Sequence, residues 1–417
     1  MRFLSIERII LHSDLNAFYA SVECLYNPQI RQKPVAVCGS AEQRHGIVLA
    51  KNDAAKKFGI ITGEAVWQAK QKCQSLVTVE PNFDRYMKFS RETRKIYERY
   101  SDRIESFGLD ECWIDCTGAI AQNGERIANE IRNIIKNELG LTVSIGVSWN
   151  KIFAKLGSDM KKPDAVTVIS KNDFKTNVWR LQASDLLYVG RSTNKKLARY
   201  AIYTIGDIAQ TKPEFLSGLL GKWGETLWAF ANGYDISPVS QNDECSVIKS
   251  IGNSMTTHRD IENEDDAWKV ITVLSDSVAQ RLREGGFRCR TVQLSLRDTE
   301  LSWCERQTKL TFFCCTAGDI ARKCMELLKV NYNFNKPLRS LGVRACDLCD
   351  ASNGLQLEFF ADSMKRERRE RLEYSVDDIR RRFGKHSLQS AVLLSDNITR
   401  DDSPQIHSIH PVAFRGL

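Results

Sequence analysis

The sequence predicts an α+β protein of several domains, and three observations carry that prediction. Short apolar runs bounded by Gly, Asn and Asp alternate with segments of helical period from residue 9 to residue 346. The chain has 417 residues, too many for one ordinary core and suited to about three or four domains. A polar stretch at 239–247 interrupts the pattern, and longer alternating strands begin after it.

Ile9-Ile10-Leu11 is a short buried-strand signal with Asp14 at its end, and Ala17 onward is helical, capped by Asn16 or Asp14. A strand closed by Gly39 (32–39) and a partner at 46–50 follow, then helices at 52–58 and 63–72 in a small basic lobe that ends near Asn82. A long charged helix (83–100) leads into paired strands. An amphipathic helix (124–139) and a half-buried strand (141–148) come next. The segment 179–238 is a compact helical unit. Beyond it lie a strand (248–256), a helix (265–283) stopped by Gly285-Gly286, strands at 291–297 and 307–312, a helix (320–330) and a strand (338–346).

The paired strands hold Ser106-Phe107-Gly108-Leu109-Asp110-Glu111-Cys112-Trp113-Ile114-Asp115, with Gly108 at the bend. Adjacent strand residues face opposite ways, so Asp110 and Glu111 converge only if the bend turns them. A lone Asp-Glu is a solvated turn. Asp14 changes that reading, because three carboxylates among apolar neighbours repel unless cations sit between them, and hard oxygen donors suit Mg2+ or Mn2+.

The run D-x-x-x-F-Y-A-x-V-E from Asp14 to Glu23, the run I-E-x-x-x-L-D-E-x-W-I-D from Ile104 to Asp115, and N-K-x-x-A-K-x-x-S from Asn150 followed by Lys162-Pro163 carry a resemblance. They resemble the motifs of the Y-family (translesion) DNA polymerases, the bacterial DNA polymerase IV and UmuC-like group. The resemblance covers nearly the whole chain. It implies a right-hand polymerase with a palm (1–24 and 83–172), small fingers (25–82), a helical thumb with a helix-hairpin-helix (173–240), a linker (241–247) and an α+β little finger (248–355). A clamp-binding-like peptide, a charged helix and a polar tail fill 356–417.

The resemblance implies low-fidelity, template-directed primer extension past damaged template by two Mg2+ ions, for which Mn2+ can substitute. Asp14, Asp110 and Glu111 would be catalytic metal ligands, joined by the Leu15 carbonyl. Lys56 and Lys162 would meet the triphosphate. Tyr19 would be the steric gate at the sugar, with Phe18 behind it as the core-facing ring. Gly190, Arg191 and Lys195 in the thumb and Arg290, Arg297 and Lys309 on the little-finger sheet, where Arg288 and Arg344 also lie, would hold primer-template DNA. Gln356, Leu357, Phe359 and Phe360 would dock on the sliding clamp. Three departures stand out: Asp53 and Lys56 replace a frequent Tyr and Arg, Ala50 replaces a frequent Thr, and Tyr188 stands where the hairpin's first glycine belongs.

A net charge of +8 and a pI near 8.8 fit a polyanionic partner. Thirteen scattered cysteines, with neither a secretory pattern nor a membrane-length apolar run, point to free thiols in a cytoplasmic protein; a monomer with no membrane partner is the expectation. Cys346 and Cys349 supply half a zinc site at most, which Cys314-Cys315 could complete; buried thiols are the simpler account. The helix at 364–383 carries a dense charge run read as a solvated face. Two competitors remain: a palm-fold nucleotide cyclase, and a clamp-recruited DNA-binding relative whose phosphate grip has decayed.

Overall fold

The computed structural model describes residues 7–39, 46–118, 123–241, 248–352, 363–384, 387–394 and 398, in two compact units: 7–39 with 47–241, and 248 onward. The first unit is built on a five-stranded sheet of order β5-β6-β1-β7-β8: β1 (Ile10–Leu15), β5 (Ile104–Ser106), β6 (Glu111–Asp115), β7 (Val143–Ser148) and β8 (Val166–Val168). β1 is central, antiparallel to β6 and β7. Both neighbours pair with it through Asp14, and the strand ends at Leu15, one residue beyond the expected end at Asp14.

Strand alternation gives the sheet two different faces. Leu11, Leu15, Ile114, Val143, Ile145 and Val147 meet α4 (Phe83–Tyr97) and α5 (Gly124–Ile134) in the larger core. His12, Asp14, Glu111 and Gly146 belong to the other face, against α6 (Lys151–Met160). A Cβ added at Gly146 would lie 1.9 Å from the Ala154 carbonyl oxygen, so the α6 backbone rests directly on the strand and only glycine fits between. Lys155 is thereby brought to the acids. The far side of α6 contributes Ile152, Phe153 and Leu156 to the core of the helical unit, which is why both belong to one compact body.

The first helix, α1 (Phe18–Tyr26), starts without a side-chain cap. Asn16, expected as cap, instead donates to Ser144 Oγ (2.9 Å) and accepts from the Asp164 amide (2.9 Å), and Ala17 takes a left-handed φ of 47°. The small lobe is a three-stranded sheet, β2 (Val35–Cys38), β3 (Val48–Lys51) and β4 (Val77–Val79), order β3-β2-β4, with short helices α2 (Asp53–Lys56) and α3 (Val66–Lys72). The three-residue β4, parallel to β2, has no sequence signal of its own.

Five short helices follow: α7 (Phe174–Val178), α8 (Arg191–Ala198), α9 (Ile205–Gln210), α10 (Pro213–Leu220) and α11 (Lys222–Ala231). Only a single 3-10 turn, Ala183–Asp185, stands just before the Tyr188 turn.

The second unit is a four-stranded antiparallel sheet, β9 (Ser250–Ile261), β10 (Phe287–Asp298), β11 (Trp303–Cys314) and β12 (Leu338–Asp350), order β11-β10-β12-β9. One face packs on α12 (Glu264–Glu284) and α13 (Ala317–Asn331) through Leu294, Leu296, Leu341 and Val343. The charge-rich α14 (Ser363–Phe383) departs from the expected solvated face. Its Glu373 and Asp377 close on the buried Arg283, its Glu370 pairs with Arg288 (2.7 Å) and its Arg380 with Asp276 (2.7 Å). The helix docks by charge because its inward positions carry charge.

Candidate functional site

Three carboxylates meet at one end of the first sheet. Asp14 and Glu111 are Cα partners across β1 and β6, and Asp110 sits just before β6, where Gly108 takes φ 102°. The Asp110 carbonyl accepts the Leu15 amide at 3.0 Å, tying the bend to the end of β1. The pair that a straight strand would split is therefore turned onto one site.

Two lysines of α6 and its exit neutralise the acids. Lys162 Nζ lies 2.6 Å from Asp14 Oδ2, and Lys155 Nζ lies 2.8 Å from Glu111 Oε2 and 3.6 Å from Asp14 Oδ2. Asp159 pairs with both lysines, at 3.2 and 2.8 Å. Below them the buried His12 places Nε2 at 3.3 Å from Glu111 Oε2, its Nδ1 hydrogen-bonded with Ser158 Oγ at 2.8 Å. Burial pushes His12 down from the ordinary histidine range, so the ring is held neutral. Burial, then the neighbouring Asp14 and Glu111 charges, pushes Asp110 up to about 7. Asp14 is raised by the same burial and by Glu111. For Glu111, burial alone would raise the carboxyl, but His12 and Lys155 outweigh it and hold it at about 2.

The donor set fits hard divalent cations: three carboxylates with no competing thiol, since Cys112 turns to the opposite face against Ser106. Glu111 Oε2 is buried without a well-directed hydrogen bond. Among the described residues no three His, Cys, Asp or Glu side chains are gathered into a closed ligand set, Asp14 and Glu111 being turned to the two lysines instead.

Phe18 is buried in the core with Tyr86 beside it, whereas Tyr19 is partly exposed, 4.2 Å from Tyr86 in a flat stack. Burial and the nearby Asp110 charge raise the Tyr19 hydroxyl to about 12, so the ring stays neutral beside the acids. Lys56 is exposed at the end of α2, and Lys51, which the sequence reading passed over, stands near enough for its charge to be felt. His12 was also passed over. Its signal was available: it lies two residues before Asp14 on the same strand, hence on the same face.

In the helical unit, Tyr188 adopts φ 73°, the conformation a glycine would take there, and Gly190 caps α8 with nothing within 4 Å of an added Cβ. The chain's own packing does not demand a glycine at 190. Arg191 and Lys195 are exposed on that helix. On the open face of the second sheet, Arg290, Lys309 and Arg344 are exposed, and Arg297 lies over the Trp303 ring at 5.1 Å. Between them lie small residues, Gly252, Ser254, Gly342 and Ser295, aligned across the strands. Arg288 departs from this set, because Glu370 and the Ala351 carbonyl hold it. Cys314 is buried on the helix side of the sheet and packs with Cys289, away from Cys346, so these cysteines do not assemble a zinc site. The peptide Gln356, Leu357, Phe359 and Phe360 lies outside the described residues.

The profile of the impB/mucB/samB family matches residues 13–159, and that of its C-terminal domain matches 248–359. A DNA polymerase IV of Acetivibrio thermocellus is 56% identical over 393 residues, 94% of this chain and 98% of that protein. The chain belongs to the Y-family of DNA polymerases. A DNA polymerase IV of Clostridium acetobutylicum is 33% identical over 395 residues, 93% of this chain and 98% of that one. Among solved structures, a Y-family DNA polymerase chimera, Dbh-Dpo4(243-245)-Dbh, shares the fold with a TM-score of 0.72 at 23% identity, covering 82% of this chain and 99% of the chimera. As a Y-family polymerase the protein is a DNA-directed DNA polymerase of the translesion kind, which binds DNA and dNTPs. The match runs through the helical unit and the second sheet, which a nucleotide cyclase has no use for. No described helix is long and apolar enough to cross a membrane.

Proposed function

We propose that the three carboxylates at the end of β1 and β6 are the catalytic centre of this polymerase. The observation that carries the reading is the pairing of Asp14 with Glu111 while the Asp110 carbonyl fastens the Leu15 amide. Asp14, Asp110 and Glu111, with the Leu15 carbonyl, would hold two divalent cations, Mg2+ or in its place Mn2+. When bound, such cations supply Lewis acidity to the primer hydroxyl and the leaving pyrophosphate. Lys162 and Lys56 bind the triphosphate as point charges, and Lys155 balances the acids. His12 orients Glu111 from below. Tyr19 faces the sugar of the incoming nucleotide, and Phe18 supports it from the core.

Gly190, Arg191 and Lys195 grip DNA phosphates at the thumb, and Arg290, Arg297 and Lys309 do so across the open sheet face, where small residues let a backbone approach. Contacts of this kind do not read sequence, as template-directed synthesis requires. Gln356, Leu357, Phe359 and Phe360 recruit the cytoplasmic, monomeric enzyme to the sliding clamp. Primer extension by the parent and by Asp110→Asn tests the reading; it separates an active polymerase from a relative that only binds DNA.

A further inference from the structure

Tyr19 and Glu23 lie one turn apart on α1, and Tyr86 of α4 holds both. Its ring lies against Tyr19 with centroids 4.2 Å apart and planes within 9°, and its hydroxyl donates to Glu23 Oε1 at 2.8 Å. The other carboxylate oxygen, Glu23 Oε2, accepts from Arg85 Nη1 at 2.6 Å, and the Arg85 guanidinium lies 4.1 Å over the Tyr26 ring. Phe83 closes the edge of Tyr19 at 6.0 Å and 79°. Glu23 and Tyr86 are buried. Two residues one turn apart on one face of α1 are thus locked to a single ring.

Burying a carboxylate and a hydroxyl in this core costs desolvation that two apolar side chains of similar volume would avoid. What the polar pair adds is direction. A stack of two rings alone slides and tilts at little cost, because dispersion is weakly directional, whereas a charge-assisted hydrogen bond fixes the plane of Tyr86 and, through the stack, the plane of Tyr19. A ring that excludes a 2′-hydroxyl by contact depends on its position to a fraction of an ångström, since repulsion rises steeply.

We propose that Glu23 is a positioning residue for sugar selection: through the Tyr86 hydroxyl it fixes the plane of Tyr19, and the Arg85 ion pair keeps its carboxylate in place. This rests on the reading of Tyr19 as the gate. A merely structural Glu23 would affect deoxy- and ribonucleotides alike, so the ratio of the two is the readout.

The test uses the full chain and compares kcat and KM for a dNTP and the matching rNTP opposite the same template base. Tyr86→Phe keeps the stack and removes the hydroxyl, Glu23→Leu removes the acceptor, and Glu23→Gln keeps one. The rNTP to dNTP efficiency ratio is expected to rise about fivefold to tenfold in Tyr86→Phe and Glu23→Leu, chiefly through the rNTP KM, the scale of one lost hydrogen bond, and to rise less, about twofold to threefold, in Glu23→Gln, which keeps an acceptor for the Tyr86 hydroxyl but gives up the Arg85 ion pair. Tyr86→Phe added to Tyr19→Ala is expected to give no further rise. An unchanged ratio in Tyr86→Phe, with Tyr19→Ala raising it, overturns the role of Glu23 and leaves the gate standing. No rise in Tyr19→Ala itself overturns the gate.

Discussion

Glu111 stands opposite Asp14 across β6 and β1, and one ammonium, that of Lys155, lies 2.8 Å from the first and 3.6 Å from the second. The helix that carries Lys155 can come so close only because Gly146 has no side chain. The same face therefore gathers the acids, their counter-charges and the lysines suited to a triphosphate. The chemistry follows from strand register and one glycine.

If Tyr19 is the gate and Phe18 its support, their alanine variants should fail differently. Tyr19→Ala should raise ribonucleotide incorporation relative to deoxynucleotide, because a 2′-hydroxyl no longer clashes. Phe18→Ala should instead lower stability by about 3–5 kcal/mol, the cost of a buried ring, with sugar selectivity kept. Selectivity lost from Phe18→Ala alone would mean the two rings have been assigned the wrong way round.

Arg283 is buried between Asp377 and Glu373 and makes the most buried of the ion pairs that dock α14. Arg283→Met should lower stability by about 3–5 kcal/mol, because it leaves a carboxylate buried without its partner. Faster hydrogen exchange confined to α14 and the end of α12 is the expected pattern; unchanged exchange there would show that the ion pairs do not hold the helix.

Replacing Leu357, Phe359 and Phe360 together by alanine should abolish stimulation of synthesis by the sliding clamp and leave unstimulated synthesis intact. Equal loss of both would mean that the segment is part of the folded core.

Glu105 accepts from Lys151 (2.7 Å) and from the Ser240 amide (3.1 Å), holding the end of the helical unit on the first sheet. Burial would raise this carboxyl, but Lys151 and Ser240 outweigh it, so the folded value lies below the ordinary 4.5. The sign follows: the pair stabilises above 4.5 and is lost as acidity carries the pH down through the folded value. Thermal unfolding of the parent should fall faster than that of Glu105→Gln over that window. Parallel curves would rule the contribution out.

Much of this was legible in the sequence. β1, β6, β7 and α5 announce themselves by apolar period and by Gly108, and the acids by their place at strand ends. What escaped did so for physical reasons. β4 is three residues long, too short for alternation to register. The inward face of α14 is charged, so period and polarity point outward together. Asn16 looks like a cap until Ser144 and the Asp164 amide, far away in sequence, claim it. At Tyr188 the backbone keeps the turn's left-handed geometry although the residue type argues against it.

The most direct measurement is single-turnover incorporation of a correct dNTP by Asp110→Asn and Glu111→Gln, with primer-template affinity measured on the same proteins. The rate should fall by about a thousandfold or more, several kcal/mol of transition-state stabilisation, while DNA affinity stays close to that of the parent. Incorporation retained within about tenfold of the parent would contradict the assignment of these carboxylates to the catalytic centre.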